Sequence, residues 1–131
     1  MRKILLYFII LLMPLIIGMG GGAPGDIPKT TKNFQVSYID QTDELTVCTE
    51  ASIAGKIFFE GKKGEGIYTV SFDNIKSVVF LNKNGALTGS IKLKDGENIE
   101  IILSKDQKAY GRTKYGSYQI KLIDLKKMIF Q

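Results

Sequence analysis

The sequence predicts an all-β protein, with about ten short strands in two tandem repeats of about 50 residues behind an N-terminal signal helix. Three observations lead there. From Phe34 onward there is no proline, and β-branched and aromatic runs alternate with Gly, Asn and Asp, the pattern of strands joined by tight turns. No segment holds a 3.6-residue apolar period over the length a helix requires. Set against itself at an offset of fifty residues, the chain places Gly66, Tyr68, Val70, Phe72, Ile75, Lys76, Val78, Val79 and Phe80 opposite Gly116, Tyr118, Ile120, Leu122, Leu125, Lys126, Met128, Ile129 and Phe130.

The first element is an address. Arg2 and Lys3 precede an apolar run from Ile4 to Ile17 broken by Pro14, and small residues dominate Gly18 to Ala23. A basic start, a short apolar centre and a small-residue exit make a signal peptide, assigned to residues 1–20, with cleavage after Gly20 or Gly22. A bilayer crossing takes about 20 apolar residues, so no permanent membrane span is expected after cleavage. The protein is expected to be exported to the periplasm or the extracellular space. No Cys stands near the boundary, so a bacterial lipid anchor is not indicated. Residues 21–33 contain Pro24 and Pro28 without apolar periodicity and read as an extended leader.

Strands are expected at 34–40, 45–50, 56–60, 66–72, 76–82, 88–94, 97–104, 108–113, 117–122 and 126–130. The first five form repeat one, 34–82, and the rest repeat two, 88–131. Gly61 falls opposite Gly111, making GKKGEG and GRTKYG equivalent hairpin loops. At a slightly larger offset Val36, Tyr38 and Asp40 fall near Ile91, Leu93 and Asp95, which puts about five extra residues of the first copy in the QTDEL turn. One such unit buries too little surface alone. Two units packed face to face are therefore expected, with Tyr68, Val70 and Phe72 and their partners Tyr118, Ile120 and Leu122 facing a shared core.

Each unit ends in a tight turn, Asp73-Asn74-Ile75 or Ile123-Asp124-Leu125, before its last strand. That element order resembles SH3-like small barrels, leaving a barrel or a sandwich as the expected architecture. The closing stretch, YGRTKYGSYQIKLIDLKKMIF, resembles the pattern GxTxxGxxxIxLxDLxxIxF of small secreted bacterial β-domains of unknown function. The resemblance covers about twenty residues. It implies an exported bacterial β-protein and carries over no catalytic residue.

Candidate sites follow from where the two copies differ. Glu60, Lys62, Lys63 and Glu65 face Tyr110, Arg112, Thr113 and Tyr115. The second hairpin has exchanged two acids for two aromatics, so Tyr110, Arg112, Lys114 and Tyr115 offer stacking faces and cations to a glycan, a peptide or a single-stranded nucleic acid. The competing reading is cross-strand tyrosines that stiffen a hairpin. Tyr118 is matched by Tyr68 and reads as packing. Asp40, Asp43 and Glu44 could offer oxygens to calcium, but the EF-hand spacing is absent and acids suit turns in their own right, so no metal site is assigned. Cys48 has no partner in the chain and reads as a small buried apolar residue.

The chain has no His, no Trp and one Cys, which excludes a His-based triad, a Cys/His zinc site and a CxxC redox pair. No catalytic residue and no cofactor is assigned. Losing Arg2 and Lys3 with the signal lowers the formal charge from +5 to +3, an ordinary value for solubility. The composition points to a non-enzymatic binding or structural module of the bacterial envelope, with a protein or glycan partner favoured over nucleic acid. The alternative is a self-assembling component, a homo-oligomer joined through edge strands; Ile99 to Leu103 is the most apolar mature strand, with Lys92, Lys94 and Lys105 as charged protection.

Overall fold

The computed structural model describes residues 27–131; the signal segment 1–20 and the start of the leader lie outside the described residues. Alternating apolar positions generate ten strands: β1 (Val36–Asp40), β2 (Leu45–Ile53), β3 (Phe58–Lys63), β4 (Gly66–Ser71), β5 (Ile75–Lys83), β6 (Ala86–Leu93), β7 (Asn98–Leu103), β8 (Lys108–Thr113), β9 (Gly116–Lys121) and β10 (Leu125–Phe130). All pairings are antiparallel, and the strands join in one curled half-barrel sheet of order β4-β3-β7-β6-β5-β10-β1-β2-β8-β9. Among the described residues there is no α-helix, only 3₁₀ turns at Phe72–Asn74 and Leu122–Asp124. No described helix is long and apolar enough to cross a membrane.

The strand order reads as its own reverse when β1–β5 are exchanged for β6–β10. Two separate units packed face to face, as SH3-like barrels or a sandwich, therefore do not form. Instead the β3–β4 hairpin leaves its chain neighbour β2 and pairs with β7, while β8–β9 pairs with β2. Backbone hydrogen bonds repeat across the exchange. Phe72 N–H donates to Ile57 O and Leu122 N–H to Gln107 O; Asp40 N–H donates to Glu44 O and Leu93 N–H to Glu97 O. The register of β1 on β10 shifts at Ile39/Asp40, and that of β6 on β5 shifts between Ile75 and Ser77. Such a bulge bends a strand pair and helps the sheet to curl.

These bonds correct the expected alignment. The QTDEL turn and the turn after β6 close with the same bond pattern, so the extra residues are not there. They lie in the last part of β2 and the turn after it, where residues 50–56 occupy the place of 103–106. Glu50 (φ 50), Ala54 (φ 53) and Gly55 (φ 82) turn the backbone in that stretch, extending β2 to Ile53 and delaying β3 to Phe58.

The core fills the inside of the curl. Val36, Tyr38, Phe59, Phe72, Ile75, Val78, Ile91, Ile101, Leu122, Leu125 and Met128 are buried, each large side chain contributing about 1.5–3 kcal/mol. Phe72 packs edge-on against Phe130 with ring centroids 4.9 Å apart. Val70, Phe72 and Leu122 face this core as expected, and Ile120 packs against it half-buried. Tyr68 does not: it is 40% exposed on the edge strand β4. The greasy strand β7 is no edge, being paired on both sides with β6 and β3.

Candidate functional site

Tyr110, Arg112, Lys114 and Tyr115 all lie on the β8–β9 hairpin. Ala109 and Gly111 are buried, so the alternate positions Tyr110 and Arg112 stand half-buried on the opposite, outer face of β8. Gly111 is required here because a Cβ would collide with the Cβ of Cys48 on the neighbouring β2. The carbonyl of Tyr110 accepts a 2.8 Å hydrogen bond from the buried Tyr38 hydroxyl, which ties the hairpin to β1. Burial holds the Tyr38 phenol well above its ordinary pKa, so it stays a donor.

Arg112 is engaged. Its Nε lies 2.9 Å from Glu50 Oε2, and the Glu50 N–H in turn donates to Asn33 Oδ1 at 2.8 Å. Sequence reasoning missed Glu50 because nothing local announces that β2 and β8 are neighbours. Lys114 and Tyr115 form the tip. Tyr115 is 90% exposed, and the Lys114 amine sits 5.4 Å from its ring centroid. The hairpin thus presents an aromatic ring and an amine at its tip, with Arg112, paired to Glu50 of β2, lower on the same hairpin.

The matching hairpin β3–β4 has the same two-residue connection, Lys63 opposite Gly66 as Thr113 is opposite Gly116. Its turn conformation differs, since Gly64 lies at φ 62 whereas neither Lys114 nor Tyr115 has a positive φ. GKKGEG and GRTKYG are therefore equal in length but not in backbone. Tyr118 stacks on Tyr38 with centroids 5.7 Å apart and 28° between planes, whereas Tyr68 has no such partner among the described residues. Burial raises the Tyr118 phenol above its ordinary pKa, opposed by a hydrogen bond with Thr46.

The remaining candidates are turn and core residues. Asp40 Oδ1 accepts from the Thr42 hydroxyl (2.6 Å), the Thr42 N–H (2.8 Å) and the Glu44 N–H (3.0 Å). Those bonds, the Thr42 hydroxyl first, lower its pKa and account for its place in the turn. Asp43 is held by Lys126 at 2.6 Å. Among the described residues no three His, Cys, Asp or Glu side chains gather as a metal site. Cys48 is buried, and burial pushes its thiol up to about 11. The surface carries shallow depressions, one of about 430 Å³ lined by Tyr68, Val70, Leu93, Lys94 and Ile99, which the sequence did not announce.

Fold and site together define an all-β protein with a single curled antiparallel sheet and an exposed aromatic hairpin. The chain belongs to a family described as "Uncharacterised protein", whose profile matches residues 30–131. No curated protein and no solved structure matches it.

Proposed function

We propose that this is an exported protein of the bacterial envelope that acts as a non-enzymatic binding or structural module, its protein or glycan ligand meeting the β8–β9 hairpin. The observation that carries the site is Tyr115, a ring standing 90% exposed beside the Lys114 amine where the matching hairpin has Glu65. A large aromatic held out of the core contributes little to folding and much to a contact surface. Export rests on the basic and apolar leader of the sequence, and the resemblance of the closing stretch to small secreted bacterial β-domains agrees with it. We read the chain as an internal duplication whose two hairpins have changed places; the palindromic strand order and the repeated backbone bonds support that reading.

Mass spectrometry of the secreted fraction tests the address: a mature N-terminus near residue 21 is expected, and a cytoplasmic protein retaining Arg2 would overturn it. For the site, envelope glycan and protein fractions are passed over immobilised protein. Capture by the natural chain, lost with Tyr115→Glu at unchanged melting temperature, is the expected result. Equal capture by both would remove the hairpin as the site.

Self-assembly remains a second reading, favoured by one observation. The edge strand β4, Gly66–Ser71, carries no charge and exposes Ile67 at 65%, whereas the opposite edge β9 carries Lys121. An uncharged edge is a template for a second copy. Sedimentation from micromolar to millimolar protein decides it: a Thr69→Lys variant should dissociate any dimer, and a monomer throughout would exclude this reading.

A further inference from the structure

At the centre of the sheet the outer face carries a depression of about 410 Å³ across β5, β6 and β10, lined by Lys76, Lys92 and Lys127 with Ser77, Ser90 and Asn98, and by Val79 and Ile129. Every charged side chain lining it is a lysine, and none of the three has a carboxylate partner among the described residues. Of the neighbouring acids, Glu100 pairs with Lys83 and Asp43 with Lys126, each at 2.6 Å, while Glu44 and Glu97 stand in the turns just before Leu45 and Asn98. Three amines without counter-charge on one sheet face form a site for anions.

The same face turns apolar toward β1 and β2. Lys127 lies opposite Ile39, which lies opposite Leu45; Ile129 lies opposite Ser37, which lies opposite Val47. Leu45 is 55% exposed and Val47 46%. A cationic patch thus grades into protruding aliphatics over neighbouring strands of one broad surface. No aromatic and no arginine lies in this patch, although protein interfaces are enriched in both and depleted of lysine. Lysines on flexible stems beside aliphatic side chains instead suit a layer that is anionic outside and hydrocarbon beneath.

We propose that the outer face of β1, β2, β5, β6 and β10 docks on the surface of an anionic lipid bilayer, with Lys76, Lys92 and Lys127 on the lipid phosphates and Leu45 and Val47 among the first methylenes. The face adjoins the β8–β9 hairpin, since Thr49 on β2 lies opposite Arg112 on β8, so a docked protein holds the hairpin at the border of the bilayer surface. The site does not depend on the hairpin reading.

The test is co-sedimentation of the full chain with phosphatidylcholine vesicles and with vesicles containing phosphatidylglycerol. Neutral vesicles report whatever the apolar residues 4–17 contribute, and Arg2 and Lys3 add their own share on anionic vesicles, so the face is read as the part of the anionic gain that is lost with its three lysines. Each lysine near such a surface adds about 1 kcal/mol, roughly fivefold in partitioning. Lys76→Gln, Lys92→Gln and Lys127→Gln together should then remove a gain of the order of a hundredfold, leaving the neutral-vesicle value and the melting temperature unchanged. High salt should do the same, and Val47→Ser should weaken anionic binding at constant charge. Equal partitioning to both vesicle types, an unchanged gain in the triple variant, or binding of inorganic phosphate or polyglutamate without vesicle binding would each overturn the proposal.

Discussion

The two hairpins of the sheet, β3–β4 on β7 and β8–β9 on β2, solve one packing problem with different side chains. At matching places one end has Tyr38, Cys48, Gly111 and Tyr118, and the other has Ile91, Ile101, Gly61 and Tyr68. Where Tyr38 is large, its neighbour Cys48 is small; where Ile91 is medium, so is Ile101. The total volume is nearly kept, which cores tolerate well. The consequence falls on the edge tyrosines. Tyr118 finds the Tyr38 ring to stack on and becomes half-buried, while Tyr68 finds aliphatics and stays exposed. A matched residue in a repeated pattern is thus not guaranteed a matched environment.

The largest effect that would break this comparison is at the glycines. Gly111→Ala should cost about 3 kcal/mol, because its Cβ strikes the Cβ and Sγ of Cys48, and Gly61→Ala about as much, because its Cβ would come 2.5 Å from the carbonyl oxygen of Ile102. Chemical denaturation should show Cys48→Gly partly rescuing the first. No side-chain truncation should rescue the second, whose obstacle is backbone.

Next in size is the tyrosine pair. Tyr118→Glu should lose about 2–3 kcal/mol, since it removes the stack on Tyr38 and sets a carboxylate near Asp40 and Glu44. Tyr68→Glu should lose less than about 1 kcal/mol at its exposed position. Equal melting temperatures for the two variants would sink the comparison. Tyr38→Phe, which leaves the Tyr110 carbonyl without its donor, should cost about 1 kcal/mol while Tyr118 still stacks.

A pH series sharpens the contrast between Cys48 and Ile101. In the unfolded chain the thiol ionises near its ordinary value, but in the fold it keeps its proton up to about 11. The folded state therefore binds more protons in that window, and stability falls as pH rises through it. Subtracting the Cys48→Ala curve should leave that slope together with the smaller effect of the thiolate on Tyr38 and Tyr118. The smallest effect is expected of Tyr115→Glu, within about 0.5 kcal/mol of the natural chain, because the ring is free of the core. A loss comparable with that of Tyr118→Glu would show the hairpin tip to be a packing element.

Much of this was readable in the residues because the signals are local. Period-two alternation and Gly, Asn and Asp punctuation located all ten strands, since each side of a strand reports its own burial. The hairpin that carries Tyr110, Arg112, Lys114 and Tyr115 was legible from its offset against GKKGEG. Its anchoring was not, because the Arg112–Glu50 pair joins residues far apart in the chain. Nor was the lysine face, since Lys76, Lys92 and Lys127 come together only through the pairing of β6 with β5 and β5 with β10.

The sequence by itself determined that the protein is all-β, where its strands begin and end to within a few residues, and which turns join them, because those choices are made between neighbours in the chain. Tertiary structure alone decided that β3–β4 sits on β7 and β8–β9 on β2, that Tyr68 is left in solvent, and that the ten strands make one sheet. The physical reason is that either hairpin meets the same backbone hydrogen-bonding edge on β2 or β7. The choice rests on long-range fit: Cys48 against Gly111, Ile101 against Gly61, and the turned stretch 50–56 that carries β3 away from β2.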